Sequence, residues 1–261
     1  MCIAYFEIGH PDWPLFIAAN RDEFHHRPAR AAAPWKNHPD VIAGIDVEAG
    51  GTWLGITRQG RFGFLTNYRE PGVALPHAPS RGKLVSEWLT GSQSLTQYTN
   101  ALIPTVQQYN GFNLIVGDLQ ACHYVSNRSN TDRQALTPGQ YVISNHLLNT
   151  SWPKTEHLRA AFTQVTQQNI YQSLDNIFAL LKDTTPADDA DLPATGLSPE
   201  FERLLSSPFI ISPNYGTRCS SIVAFHRSGQ GIFSEISYDA KGDATARHDW
   251  PLTLEITPFA G

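Results

Sequence analysis

Residues 1–23 read MCIAYFEIGHPDWPLFIAANRDE: two short apolar, aromatic-rich runs, at 2–8 and 15–20, separated by His10-Pro11-Asp12-Trp13-Pro14. Runs of this length bounded by proline and aspartate are strands joined by a loop of several residues, so the chain opens in a β-hairpin. With the loop centred near residues 11 and 12, partners across the hairpin have numbers summing to about 23. That arithmetic sets Cys2 opposite the polar tetrad Asn20-Arg21-Asp22-Glu23.

The strand pattern recurs outward from this hairpin. Residues 52–58 (TWLGITR) and 61–67 (RFGFLTN) flank Gln59-Gly60, whose glycine suits the positive φ of a tight turn. Residues 80–90, with Ser80 as capping residue and Gly91 just past the end, predict a short helix. Strands are expected at 112–118, 121–126 and 140–145. Between 155 and 183 the apolar period turns helical. Leu158, Ala161, Phe162 and Val165, and then Leu174, Ile177, Phe178 and Leu181, fall at i, i+3, i+4 and i+7, giving two helices that pack on a sheet. Residues 186–196 form a polar loop, and Ser198-Pro199 opens a further short helix. Strands return at 217–226, 231–238 and 250–257. Strands, then helices, then strands predict an α+β layered fold of mostly antiparallel pairing.

The chain has 261 residues, 41 % of them hydrophobic, enough for one large core in a single domain spanning 1–261. Lys plus Arg at 19 against Asp plus Glu at 24 gives a net charge of −5, without long runs of one sign. That excludes the electrostatic footprint of a nucleic-acid binder. The N-terminus lacks a basic leader pattern, and no apolar run reaches about 18 residues, so no membrane insertion is expected. Three cysteines without a CxxC pair suit a reducing, cytoplasmic compartment.

The residue richest in chemistry is Cys2. An initiator methionine is ordinarily removed before a small second residue, and the mature chain would then carry a thiol and a free α-amine on one residue. An α-amine near pKa 7.7–8.0 can take the proton of a thiol near 8.5 at neutral pH, so nucleophile and base sit together. Taken alone, Cys2 also reads as a small apolar residue opening a strand, and the tetrad as a solvated strand end. Facing each other, they give a carboxylate to orient the ammonium and a guanidinium to depress the thiol pKa. Strand alternation puts Arg21 and Asp22 on opposite faces, so in a regular strand only one of them faces Cys2.

Several stretches together carry a family resemblance: MCIAYFEI, NRDE at 20–23, GGTWLGI at 50–56, LTNYRE at 65–70, SRGKLV at 80–85, GFNLIVGD at 111–118, ISNHLLNTSWPK at 143–154 and YGTR at 215–218. The chain resembles the NRDE family, also named the transport and Golgi organisation 2 family. That family in turn resembles the cysteine branch of the N-terminal nucleophile hydrolases, which includes choloylglycine hydrolase and penicillin V acylase. The resemblance implies a four-layer αββα sandwich. It also implies Cys2 as nucleophile, Asp22 as the carboxylate holding the N-terminal amine, and Asn67 as oxyanion-hole donor. Asn145 would be a second polar group binding amine or substrate, and Arg218 the charge that steadies the thiolate. Asn20, Arg21, Glu23, Tyr68, Arg69 and His146 are the candidate substrate contacts. From residue type alone, Asn67 equally ends a strand and Asn145 equally begins a turn. The chain departs from the acylase pattern at Ala19, where those enzymes carry arginine; Arg21, two residues on and on the same face, is the candidate substitute.

Weaker signals add little. His25-His26 lacks metal-ligand spacing, Cys122-His123 reads as one core and one surface residue of a strand, and Cys219 reads as core. No GxSxG, GxGxxG or Walker loop occurs. Two functions are therefore expected. The first is a cysteine amidohydrolase that needs neither metal nor cofactor and cleaves a non-peptide amide or thioester of a small amphipathic molecule. The second is a carrier of haem or an acyl-lipid metabolite on the same scaffold, with its aromatic residues walling an apolar cleft.

Overall fold

The computed structural model describes residues 2–254. The strands are β1 (Cys2–Ile8), β2 (Leu15–Phe24), β3 (Ala29–Trp35), β4 (His38–Asp46), β5 (Leu54–Thr57), β6 (Phe62–Asn67), β7 (Phe112–Gly117), β8 (Cys122–Ser126), β9 (Arg133–Leu136), β10 (Gly139–Ile143), β11 (Tyr215–Phe225), β12 (Gln230–Tyr238) and β13 (Ala244–Thr253). The α-helices are α1 (Gly82–Thr90), α2 (Leu95–Leu102), α3 (Pro153–Phe162), α4 (Ile170–Leu181) and α5 (Pro199–Leu204). A six-stranded sheet in the order β10-β1-β2-β11-β12-β13 faces a seven-stranded sheet running from β3 to β9 in sequence order. Every registered strand pair in both sheets is antiparallel.

Period-2 alternation builds the layers. On β2, Leu15 and Ile17 enter the core between the sheets, where they join Phe6, Ile42, Leu54, Phe64, Ile115 and Phe233. Their neighbours Phe16 and Ala18 point the other way and pack with Tyr5 and Ile222 against Leu158, Phe162, Ile177 and Phe178 of α3 and α4. On the far side, Leu114 and Val116 of β7 pack against Leu84 and Trp88 of α1 and Leu102 of α2. The result is helices, sheet, sheet, helices: the αββα sandwich of an N-terminal nucleophile hydrolase-like fold. Phe6 and Phe64 meet edge-to-face across the central layer with ring centroids 5.2 Å apart. Truncating such a buried ring to alanine costs about 3–5 kcal/mol.

The first hairpin and the Gln59-Gly60 turn form as the sequence predicts, with Gly60 at φ 82°. Ser198 accepts a hydrogen bond from the Phe201 N–H and Pro199 begins α5. Four elements escape the sequence reading: β3, β4, α2 and β9. β3 (ARAAAPW) is an edge strand with an irregular burial pattern, and its pairing with β4 is interrupted, so no clean alternation marks it. α2 carries a signal in the Ser94–Gln97 capping box. The last strand begins at Ala244 rather than 250 because its first half is an exposed edge paired to β12 and carries polar side chains; the expected residues 255–257 lie outside the described residues. The cap expected from Ser80 is absent: Arg81 precedes α1, and Ser80 Oγ donates instead to the Gly50 carbonyl at 3.2 Å.

Candidate functional site

The hairpin register pairs Cys2 with Arg21 and Ile3 with Asn20. Paired residues point to the same face, so the Cys2 thiol and the Arg21 guanidinium share the side that looks into the sandwich. Asn20 and Asp22 point to the helix side. β11 bulges at Arg218: Cys219 pairs with Arg21, and beyond the irregularity Thr217 pairs with Asp22. The bulge brings the Thr217 hydroxyl to Asp22 Oδ1, to which it donates at 2.7 Å. Because Cys2 begins its strand, its backbone nitrogen lies at the strand end, where a carboxylate from the helix face can serve the amine while the thiol serves the sandwich face.

Cys2, Arg21, Asp22 and Glu23 line a cleft of about 240 Å³, together with Asn67 from the end of β6, Trp53, Arg27, Asp46, Arg81 and the 49–52 and 78–82 segments. Gly51 makes the wall possible. At φ +84° it lies so close to α1 that a Cβ would stand 2.3 Å from the Gly82 carbonyl carbon. Thr52 N–H then donates to the Gly82 carbonyl at 3.1 Å.

Arg21 is 5 % exposed, lies 4.4 Å above the Trp53 ring, and reaches Asp46 Oδ2 at 3.5 Å, while its Nη1 has no hydrogen-bond partner among the described residues. Asp46 is held more tightly by Arg27 Nε at 2.8 Å. Burial alone would raise the Asp46 pKa, but the Arg27 hydrogen bond, the Ala49 N–H and the two guanidinium charges hold it below the usual value. Burial pushes the Cys2 thiol up and the Asp22 carboxylate adds to that, while Arg21 and a hydrogen bond with the Asp22 backbone pull it down. Asp22 is likewise raised by burial and drawn back by Lys154, Thr217 and Arg21.

Against known proteins, the family model described as Transport and Golgi organisation 2 matches residues 1–240. The chain belongs to this family. It is 35 % identical over 258 residues to the Transport and Golgi organization protein 2 homolog of Bos taurus, covering 91 % of this chain and 93 % of that one. The Homo sapiens homolog is 34 % identical with the same coverage. Among solved structures, a Caenorhabditis elegans N-acylethanolamine-hydrolyzing acid amidase ortholog superposes with a TM-score of 0.50 at 11 % identity, over 85 % of this chain and 92 % of the other. A mutant conjugated bile acid hydrolase from Clostridium perfringens gives 0.49 at 8 % identity, over 98 % and 99 %.

In this member of the Transport and Golgi organisation 2 family, the expected site residues fall into three groups. Cys2, Arg21, Asp22, Glu23 and Asn67 meet at the cleft. Asn145, fully buried, is one layer behind: its Nδ2 donates to the Asn67 carbonyl at 3.1 Å, and its own carbonyl accepts from the Arg69 N–H at 2.7 Å. Its neighbour Ser144 donates to the Cys2 carbonyl at 2.9 Å. Asn145 therefore fixes the backbone around Cys2 and Asn67 and does not line the cleft.

The other roles do not match the contacts. Arg218 Nη1 donates to the carbonyls of Phe24, His25 and Arg27 at 2.9, 3.1 and 3.2 Å, clamping the turn after β2 instead of lining the cleft beside the thiol. Asn20 is buried outside the cleft: its amide donates to the Leu181 and Pro208 carbonyls at 2.8 and 2.9 Å and its oxygen accepts from Ser220 at 2.6 Å, which holds it away from a substrate. Tyr68 and His146 pack against each other with tilted rings, centroids 4.9 Å apart, outside the cleft lining. Arg69 is buried against Glu202 at 2.7 Å.

Sequence reasoning missed Arg27, Asp46 and Arg81, and held Trp53 only as one of the aromatic residues that could wall a cleft. Trp53 and Arg81 lie inside stretches that carry the family resemblance, which was the available signal; Asp46 ends a strand the pattern did not mark. Among the described residues no helix is long and apolar enough to cross a membrane, and no group of three or more His, Cys, Asp or Glu side chains gathers as a metal site would.

Proposed function

We propose that this protein is a cofactor-independent cysteine amidohydrolase that uses Cys2 as nucleophile once Met1 is removed and cleaves a non-peptide amide or thioester of a small molecule. The observation that carries the reading is the meeting of Cys2, Arg21 and Asp22 from one sheet with Asn67 from the other around a single cleft.

The Cys2 thiol gives its proton to its own α-amine, and the thiolate attacks the substrate carbonyl. Asp22 orients the amine, and the Asn67 amide is directed at the tetrahedral oxyanion, a contribution on the order of 3 kcal/mol. Collapse expels the amine or thiol with the proton from the α-ammonium and leaves an acyl-cysteine. Water, deprotonated by the α-amine, attacks that thioester, releases the acid and restores the thiol. At about 240 Å³, with three arginines and three acidic residues in its lining, the cleft suits the polar, scissile end of a substrate. An apolar tail would extend along the exposed Val73 and Leu75 that precede Ala78 and Pro79 of the wall. Three cysteines without a CxxC pair support a cytoplasmic setting for the reaction.

The test begins with the intact mass of native protein before and after a small thiol-reactive electrophile. A mass lacking one methionine with one fast adduct at Cys2 is expected. On an amide cleaved by wild type, Cys2→Ala is expected to lose at least roughly 10³-fold in turnover. Undiminished turnover of Cys2→Ala would end the reading of Cys2 as nucleophile, and a retained Met1 with a sluggish Cys2 would leave the cleft as a carrier site.

A further inference from the structure

Two guanidiniums of the cleft lack a close anion. Arg81, which precedes α1, lines the cleft half-buried; its Nη1 donates to the Gly111 carbonyl at 2.9 Å, and it forms no ion pair among the described residues. Arg21 is 5 % exposed and reaches Asp46 only at 3.5 Å, and its Nη1 has no hydrogen-bond partner among the described residues. Contacts join the two into one wall. Arg21 covers Trp53 at 4.4 Å; Thr52, the residue before Trp53, donates its N–H to the Gly82 carbonyl at 3.1 Å, and Ser80 Oγ donates to the Gly50 carbonyl at 3.2 Å. Cys2 lines the same cleft.

The acidic residues of the lining do not account for these two cations. Asp46 is taken by Arg27 Nε at 2.8 Å and by the N–H groups of Glu48 and Ala49 at 3.1 and 2.9 Å. Glu23 accepts from the Phe24 N–H at 2.9 Å and stands 4.0 Å from Arg27. Asp22 accepts from Thr217 on the helix side. The start of α1 adds to the positive wall: no side chain caps it and its first turn holds no acidic residue, so nothing there offsets the positive end of the helix dipole. A guanidinium keeps its charge when buried and loses hydration, which makes an incoming anion favourable. Fork-shaped donors beside a helix N-terminus suit an oxyanion.

We propose that the anion completing this wall is a carboxylate or phosphate of the substrate, held by Arg81 and Arg21 at the start of α1, so that the protein acts on anionic amides or thioesters whose charged group lies a few bonds from the scissile carbonyl. The short separation follows from size. About 240 Å³ is less than the roughly 300–1,000 Å³ of pockets that hold drug-sized ligands, so the charged group and the scissile bond belong to one small polar fragment. Burial, reinforced by Arg27, lowers the Arg81 pKa while Glu23, Cys2 and Glu70 oppose the fall, which agrees with Arg81 and Cys2 standing within electrostatic reach of each other. The substrate class rests on the reading of Cys2 as nucleophile.

Equilibrium titration of the full chain at constant ionic strength tests the anion site without reference to Cys2. The probes are phenylacetate, phenyl phosphate and the neutral phenylacetamide. At least one anion is expected to bind roughly tenfold tighter than phenylacetamide, and Arg81→Gln is expected to remove that preference. The tighter anion names the source, carboxylate or phosphate. Lys36→Gln removes an exposed charge in the turn between β3 and β4, at the opposite end of those strands from Asp46, and is expected to bind as wild type. If Arg81→Gln does not fold, Arg21→Met decides, with anion affinity expected to fall several-fold. Equal binding of charged and neutral probes, wild-type anion affinity in the arginine variant, or an equal loss in Lys36→Gln overturns the proposal.

Alkylation ties the anion to the thiol. The Cys2 thiolate displaces iodide from iodoacetate or from iodoacetamide, and at one pH the ratio of the two rates cancels the thiolate fraction and reports recognition of the carboxylate. That ratio is expected to fall roughly tenfold in Arg81→Gln; an unchanged ratio overturns the proposal. Anion binding by a protein whose Cys2 is inert to both reagents would defeat the hydrolase reading and leave the anion site standing. A reactive Cys2 beside a cleft indifferent to charge would defeat the anion site and leave the hydrolase reading standing.

Discussion

The two faces of one strand, β2, divide the work of this site. Arg21 and Glu23 look into the sandwich, where Arg21 stands over Trp53 with one terminal nitrogen unengaged and both residues line the open cleft. Asn20 and Asp22 look toward the helices. There Asn20 spends every amide group on the Leu181 and Pro208 carbonyls and on Ser220, and Asp22 meets Thr217 and the field of Lys154. Side chains a single residue apart thus serve opposite faces of the sheet: Asn20 a closed structural face and Arg21 the open cleft, which Asp22 borders from the helix side. The mature amine at the end of β1 would be the one group able to use both. Polar residues in an adjacent run do not share a role because they share a motif; the face decides.

Substitutions on β2 can break this division. Asp22→Asn is expected to have the largest effect, lowering turnover by roughly 10³-fold or more because the amine loses its orienting carboxylate, while Cys2 still takes up an electrophile. Wild-type turnover in Asp22→Asn would move the amine's partner elsewhere and dissolve the contrast. Asn20→Ala comes next and affects folding. It strands two buried carbonyls and the Ser220 hydroxyl, at a cost of about 2–3 kcal/mol, or roughly 5–10 °C in Tm. The pH profile of Cys2 alkylation in that variant should match wild type. A changed profile with unchanged Tm would place Asn20 on the reaction side.

The sequence made the reaction face legible and the closed face obscure, for physical reasons. Hairpin arithmetic depends on loop position and period alone, so the pairing of Cys2 with Arg21 was readable from residues 1–23. The prediction that Arg21 and Asp22 diverge also followed from alternation, and the bulge at Arg218 does not overturn it; it supplies Asp22 with Thr217. Contacts of the closed face come from residues 161 to 200 positions away, as with Leu181 and Ser220 at Asn20, and no local pattern encodes them. Asn145 and Arg218 show the same limit. The family resemblance implied chemistry at the thiol, whereas the fold uses one to brace the backbone at Cys2 and Asn67 and the other to cap three carbonyls. The edge strands β3 and β13 were hard to read because an exposed edge needs no apolar alternation.

Arg21→Met gives the smallest expected effect and the sharpest test of the open face. The guanidinium lowers the thiol pKa against burial, and a nearby positive charge stabilises a thiolate. Removing it raises the thiol pKa and shrinks the thiolate fraction at every pH below that value, so alkylation of Cys2 at pH 7–8 should slow several-fold to roughly tenfold. The deficit should close as pH rises past both thiol pKa values, because both proteins are then fully thiolate and only intrinsic reactivity remains. Folding should change little, since Asp46 keeps Arg27 at 2.8 Å and the Arg21 contact is the longer one at 3.5 Å. A deficit constant across pH would mean that Arg21 shapes access to the sulfur and not its charge. Equal rates at all pH would mean that the thiolate is steadied from the helix face, which would leave the two sides of β2 with one shared task.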